Sequence, residues 1–142
     1  MKYLHVWWVY ALLSAFFAAL TAILAKVGIQ GVDPDLATAI RTVVILLVAW
    51  SIVLVKNGSS ALAALSTNNL IFLCLSGIAT GLSWIFYFRA LQIGKVSNVA
   101  PVDKASVAIA IILAAIFLHE RLNVKLIAGS ILVMAGTVTI IL

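Results

Sequence analysis

GLSWIFYFRALQIGKVSNVAPVDKASVAIAIILAAIFLHER, residues Gly81–Arg121, is two apolar runs joined by a short polar turn and closed by an abrupt charged corner. A membrane-crossing helix needs roughly 20 apolar residues, and this stretch reads as the end of one such helix and the whole of the next. Just past Pro101, inside the second run, stand two adjacent charges, Asp103 and Lys104. A charge inside an apolar span is costly and tends to pair or to face a wetted cavity, so these two are the first candidate functional residues.

The rest of the chain has the same character. Of its 142 residues 65% are apolar and only 9% are charged, against about a quarter charged in an ordinary soluble domain. Too little polar surface exists to cover a water-soluble fold, so the lipid bilayer is the expected solvent and first partner. The net charge of +5 comes from nine basic residues scattered at helix ends, which fits membrane topology rather than a phosphate-binding face, and nucleic acid is not an expected partner. Cys74 is the only cysteine, and one thiol with two distant histidines makes neither an intrachain disulfide nor a metal site. No nucleotide-binding loop, hydrolase elbow or zincin motif occurs. Neither an enzyme nor a cofactor is expected.

Taken in order, the chain reads as an all-α, polytopic membrane protein of five spans in a single transmembrane domain, residues 1–142. The spans cover about 4–27, 36–55, 70–91, 98–118 and 124–142. The first is too long for a signal-peptide core and reads as retained; Tyr3, Trp7, Trp8 and Tyr10 crowd its start as an interfacial belt, with His5 among them. Gly28, Gly31 and the Asp33-Pro34-Asp35 turn stop it, and Asp33 or Asp35 caps the second span. Residues 57–69 form the longest loop, with room for a short interfacial helix. In the third span Gly77 and Gly81 share one face, a spacing that lets a neighbouring helix approach closely. Gln92, Gly94 and Lys95 read as a tight turn, and Ser97 or Asn98 as the cap of the fourth span, which puts Pro101 in its first turn. His119–Asn123 is a hairpin corner, with Glu120-Arg121 pinning it. Gly129 and Gly136, seven apart, share a face of the fifth span and are candidates for helix packing or dimer contact.

Arg41 lies about two turns inside the second span. With Lys26, Asp103 and Lys104 it falls in the half of the membrane on the side of the loops after spans one and three. Lys26 and Lys104 have stems long enough to snorkel. Asp103 is short and about 8 Å inside a helix starting near Asn98, so it needs a partner, and Arg41 is the natural one. That pair is either structural or one wall of a substrate cavity. If it lines a cavity, the excess of positive charge and the N-terminal dipole of the fourth span favour an anionic or zwitterionic organic substrate. Trp84 and Tyr87, three apart on one helical face, would then stack on the substrate, or else serve as belt and packing residues.

An Arg in the second span, an aromatic-rich end to the third (Trp84–Leu91), Pro101 early in the fourth, the Glu120 corner and the Gly129/Gly136 pair, in that order, resemble the EamA-type family of the drug/metabolite transporter superfamily. The resemblance covers essentially the whole chain as one five-span unit. It implies a plasma-membrane transporter with a cytoplasmic N-terminus; larger members resemble two such units fused in inverted orientation. The fifth-span glycine pair is also similar to that of small multidrug-resistance transporters, but the first span here, WWVYALLSAFFAALTAIL, lacks the carboxylate of those exporters. Proton-coupled export of cationic drugs by their mechanism is not expected.

One unit lines half a pathway, since alternating access generally needs two related halves. A homodimer is therefore expected, with the antiparallel arrangement left open. Lys2, Lys56, Arg121 and Lys125 on the N-terminal side face Lys26, Arg89 and Lys95 on the other, a balance that permits insertion both ways round. Two rival readings stay open. One is a non-transporting membrane assembly subunit; the other is a flippase for a lipid-linked headgroup.

Overall fold

A computed structural model describes residues 6–56 and 65–142. Lys2, Tyr3 and His5 of the expected N-terminal belt, and positions 57–64 of the expected long loop, lie outside the described residues. The fold is all-α, with no strand among the described residues. Its helices are α1 (Trp7–Gly28), α2 (Pro34–Val55), α3 (Thr67–Ile93), α4 (Val96–Asp103), α5 (Ser106–Phe117) and α6 (Val124–Ile141). Among the described residues five stretches are long and apolar enough to cross a membrane: α1, α2, α3, Val96–Phe117 (α4 with α5) and α6.

The chain divides into two compact units, one of Met1–Ile23 with Ile93–Leu142 and one of Leu24–Gln92. In the second unit, the turn between α1 and α2 is closed by Ile29 N–H donating to the Ala25 carbonyl at 2.9 Å and Val32 N–H to that of Ile29 at 3.2 Å. Gly31 takes φ +71° there, a left-handed conformation that a residue without Cβ adopts at little cost. Of the two aspartates expected to cap α2, Asp33 does so, its Oδ1 accepting from the N–H groups of Asp35 (2.9 Å) and Leu36 (3.0 Å). Pro34 follows at the first helical position, where its missing N–H is an orphan anyway.

Two expected boundaries move. Gln92 belongs to α3 and not to a turn. Its side-chain N–H donates to the carbonyls of Val32 and, at 3.5 Å, Ile29, so a residue that looks like a helix stop instead ties the helix to the preceding loop. The fourth span starts at Val96 with Lys95 at the cap position and no side-chain cap, so neither Ser97 nor Asn98 caps it. The Lys95 carbonyl takes the N–H groups of both Asn98 and Val99 at 3.0 Å. Pro101 therefore falls in the second turn.

In the first unit α6 packs against both α4 and α5. Asn123 Oδ1 caps α6 through the Leu126 N–H at 2.8 Å. At the corner before it, the Ala114 carbonyl accepts from Leu118 (3.0 Å) and Glu120 (3.3 Å), and His119 between them takes φ +53°. An L-residue with a Cβ is strained there, by roughly 1 kcal/mol. We expect His119→Gly to raise the unfolding temperature in detergent through a gain of about 0.5–1 kcal/mol, with no gain from His119→Ala.

Candidate functional site

Trp84 and Phe88 stand four residues apart, on one face of α3. The Arg41 guanidinium of α2 lies over both rings, its Cζ 4.3 Å from the Trp84 ring centroid and 4.8 Å from that of Phe88. A planar cation over ring faces is held by the ring quadrupole, more strongly away from water. Phe88 is 1% exposed and forms the floor of this arrangement. Tyr87 is half-buried, its ring 6.2 Å from that of Phe88, and it lies in electrostatic reach of Arg41. The pairing of Trp84 with Tyr87 at three-residue spacing overlooked Phe88; the four-residue spacing from Trp84 was the signal that could have found it.

The unit Leu24–Gln92 contains two carboxylates, Asp33 and Asp35. Asp33 is engaged as the α2 cap. Asp35 accepts both of its bonds from Arg89 Nη2 at 3.1 Å, in an ion pair whose partners are more than half exposed. Among the described residues neither forms an ion pair with Arg41. A cation inside a span thus has aromatic faces for support and no carboxylate of its own unit for compensation. Its planar fork of donors suits a carboxylate in two-pronged fashion.

One helical turn further along α3, the Leu91 carbonyl is among the last four of the helix, which lack intrahelical donors. Lys26 Nζ donates to it. Lys26 also lines a cavity of about 240 Å³ with Ile29, Gln30, Gly31 and Gln92.

Asp103 and Lys104 lie in the other unit, where the fourth span is interrupted between α4 and α5. Pro101 has no N–H to give the Ser97 carbonyl. Beyond it the bonds tighten to three-residue spacing: Lys104 to Pro101, Ala105 to Val102, Val107 to Lys104 and Ala108 to Ala105, all at 3.0–3.1 Å. That is a short 3₁₀ segment inside a span. Thr137 of α6, 5% exposed, donates to the Pro101 carbonyl at 3.3 Å and to its own helix at Val133 at 2.9 Å. Asp103 ends α4 and accepts from Lys104 Nζ at 3.4 Å. Expected to need one another, Asp103 pairs with Lys104 and Arg41 rests on the Trp84 and Phe88 rings, each inside its own unit.

The glycine faces are open. A methyl built on Gly77, Gly81, Gly129 or Gly136 meets no atom of its own unit within 4 Å.

A model of the EamA-like transporter family matches residues 5–142. The chain belongs to the EamA-like transporter family. A relative from Sinorhizobium sp., named an uncharacterized transporter in the cobO 3′ region, is 46% identical over 130 residues, 92% of each chain. No solved structure matches. With five candidate spans, this EamA-like chain is a multi-pass membrane protein of transporter type, consistent with the plasma membrane.

Proposed function

We propose that this EamA-like protein moves a small organic anion or zwitterion of the organic-acid or amino-acid class, by alternating access, as a dimer, parallel or inverted. One observation carries the substrate reading: Arg41, inside a span, lies over the rings of Trp84 and Phe88 while both carboxylates of its unit are engaged elsewhere. A substrate carboxylate is the group that completes it. Charge-assisted hydrogen bonds of this kind contribute about 1.5–3 kcal/mol each, and the aromatic walls offer stacking area around them.

The mechanical side rests on the fourth span. A helix interrupted at membrane depth, with Asp103 and Lys104 at the interruption, is an arrangement that transporters use beside their sites. The open faces at Gly77/Gly81 and Gly129/Gly136 support a second copy, since small residues permit close helix approach. Asp103→Asn serves to separate a pathway role, in which flux falls at unchanged thermal stability, from a purely structural one.

The test is flux in reconstituted liposomes. Protein-containing vesicles should accumulate or release a labelled organic anion faster than empty vesicles. Movement of a fluorescent lipid between leaflets without organic-anion flux identifies a flippase instead, and no flux of either kind identifies an assembly subunit. A pair of C-terminal reporters, one active on each side of the membrane, reads the topology: activity on one side only rules out dual insertion and with it the inverted homodimer.

A further inference from the structure

We infer that the substrate of the Arg41 site is a dianion, a small dicarboxylate-type molecule, whose second anionic group is received by Lys26 at the cavity formed with Gln30 and Gln92. The inference rests on the reading of Arg41 as the carboxylate receptor and narrows it from anions and zwitterions to one charge type.

The charges of the unit Leu24–Gln92 decide the matter. A zwitterion brings an ammonium, whose strongest receptor is a carboxylate. Asp33 accepts from two backbone N–H groups of its helix, and Asp35 is held by Arg89. The rings of Trp84 and Phe88 already carry the Arg41 guanidinium. An ammonium therefore finds both carboxylates of this unit engaged and meets two cations. A second anionic group meets the opposite situation.

The spacing fits. Arg41 rests on Trp84 and Phe88, centred near position 86, and Lys26 is anchored at the Leu91 carbonyl. Five residues at a rise of 1.5 Å separate these points by about 7 Å along α3. A four- to six-carbon diacid spans that distance with one carboxylate at each cation. The cavity of about 240 Å³ beside Lys26 has a polar lining, in which the side chain of Gln30 offers a further amide donor. Gln92 also fixes the cavity wall through its bonds to the α1–α2 turn. Lys26 looks from its spacing like a residue that merely snorkels; the structure turns it back along the end of α3 and into the cavity lining.

The test measures ligand-induced thermal stabilisation of the full chain in detergent at constant ionic strength. Succinate, glutarate and adipate are compared with butyrate, pentanoate and hexanoate, and 5-aminopentanoate supplies the zwitterion. At least one diacid should bind about tenfold more tightly than its monoacid of equal length, with the zwitterion weaker than either. Lys26→Gln should bring that diacid to within about twofold of its monoacid, whereas Lys26→Arg should keep most of the preference. If Lys26→Gln does not fold, the wild-type series decides alone. Diacids within twofold of their monoacids, or a preference that survives Lys26→Gln, overturn the inference and leave the Arg41 reading standing. If every ligand binds equally to wild type and Arg41→Gln, or none binds, both fall together.

Discussion

Arg41→Gln is expected to abolish organic-anion transport in a protein that still folds and inserts. Glutamine keeps an amide donor and most of the side-chain length but removes the charge and the planar fork. The loss of two charge-assisted hydrogen bonds to a substrate carboxylate amounts to about 3 kcal/mol or more, a drop of roughly 100-fold or greater in affinity. Arg41→Lys keeps the charge as a compact ammonium but loses the ring stacking and the two-pronged geometry, so its activity falls between wild type and Arg41→Gln. The folded state loses little in either variant. An exchange for glutamine gives up the cation–π contact, about 0.5–2 kcal/mol, and is relieved of holding a charge inside a span. Uptake measured per folded protein, with thermal unfolding as the control, separates the two effects. Wild-type flux in Arg41→Gln would remove the receptor role altogether.

Phe88→Ala should produce the largest loss of stability in the described structure, about 2–3 kcal/mol. In a soluble core the same truncation costs about 3–5 kcal/mol, part of it the transfer of the ring out of water. Inside a bilayer that part is absent, because lipid tails are as apolar as the ring, and the cost is what remains: lost packing contacts and the cavity left behind. Phe88 is 1% exposed and carries the Arg41 guanidinium, so truncation also removes one of the two faces that hold the cation. Phe86, two residues away on the same helix and 65% exposed, is the internal control; its alanine variant should unfold within about 1 °C of wild type, as surface changes do. Equal unfolding temperatures for the two variants would show that Phe88 is not the anchor of the α2–α3 contact. Loss of substrate affinity in Phe88→Ala beyond that seen in Phe88→Leu would tie the ring to the site as well as to the fold.

The all-α membrane architecture and its five spans were legible in the sequence because they depend on local properties. The apolar runs flanking Gln92–Asn98 are long enough to cross a bilayer, and Pro34 with Asp33 at the start of α2 states a helix boundary in residue types alone. Family membership was legible for the same reason: the order of Arg41, Trp84–Leu91, Pro101 and Glu120 along the chain carries it. Arg41 could also be singled out, since a guanidinium in an apolar run stands out in any reading.

What surrounds Arg41 was not legible. Its neighbours Trp84 and Phe88 are more than forty positions away, and only the antiparallel packing of α2 on α3 brings them over the guanidinium. Arg89, Gln92 and Lys26 each look like interfacial or turn residues when read along the chain. In the fold they close an ion pair, clamp a loop and cap a helix end, because their partners Asp35, Val32 and Leu91 come from elements distant in sequence. The interruption of the fourth span was half visible, in that Pro101 announces a missing donor. Where the helix actually begins depends on the Lys95 carbonyl, and the Pro101 carbonyl is bonded by Thr137 from the next span. Local composition thus determined the spans and their number; the partners of each charge were decided by tertiary structure, because a charge inside a bilayer takes its stability from whichever group the packing brings within reach.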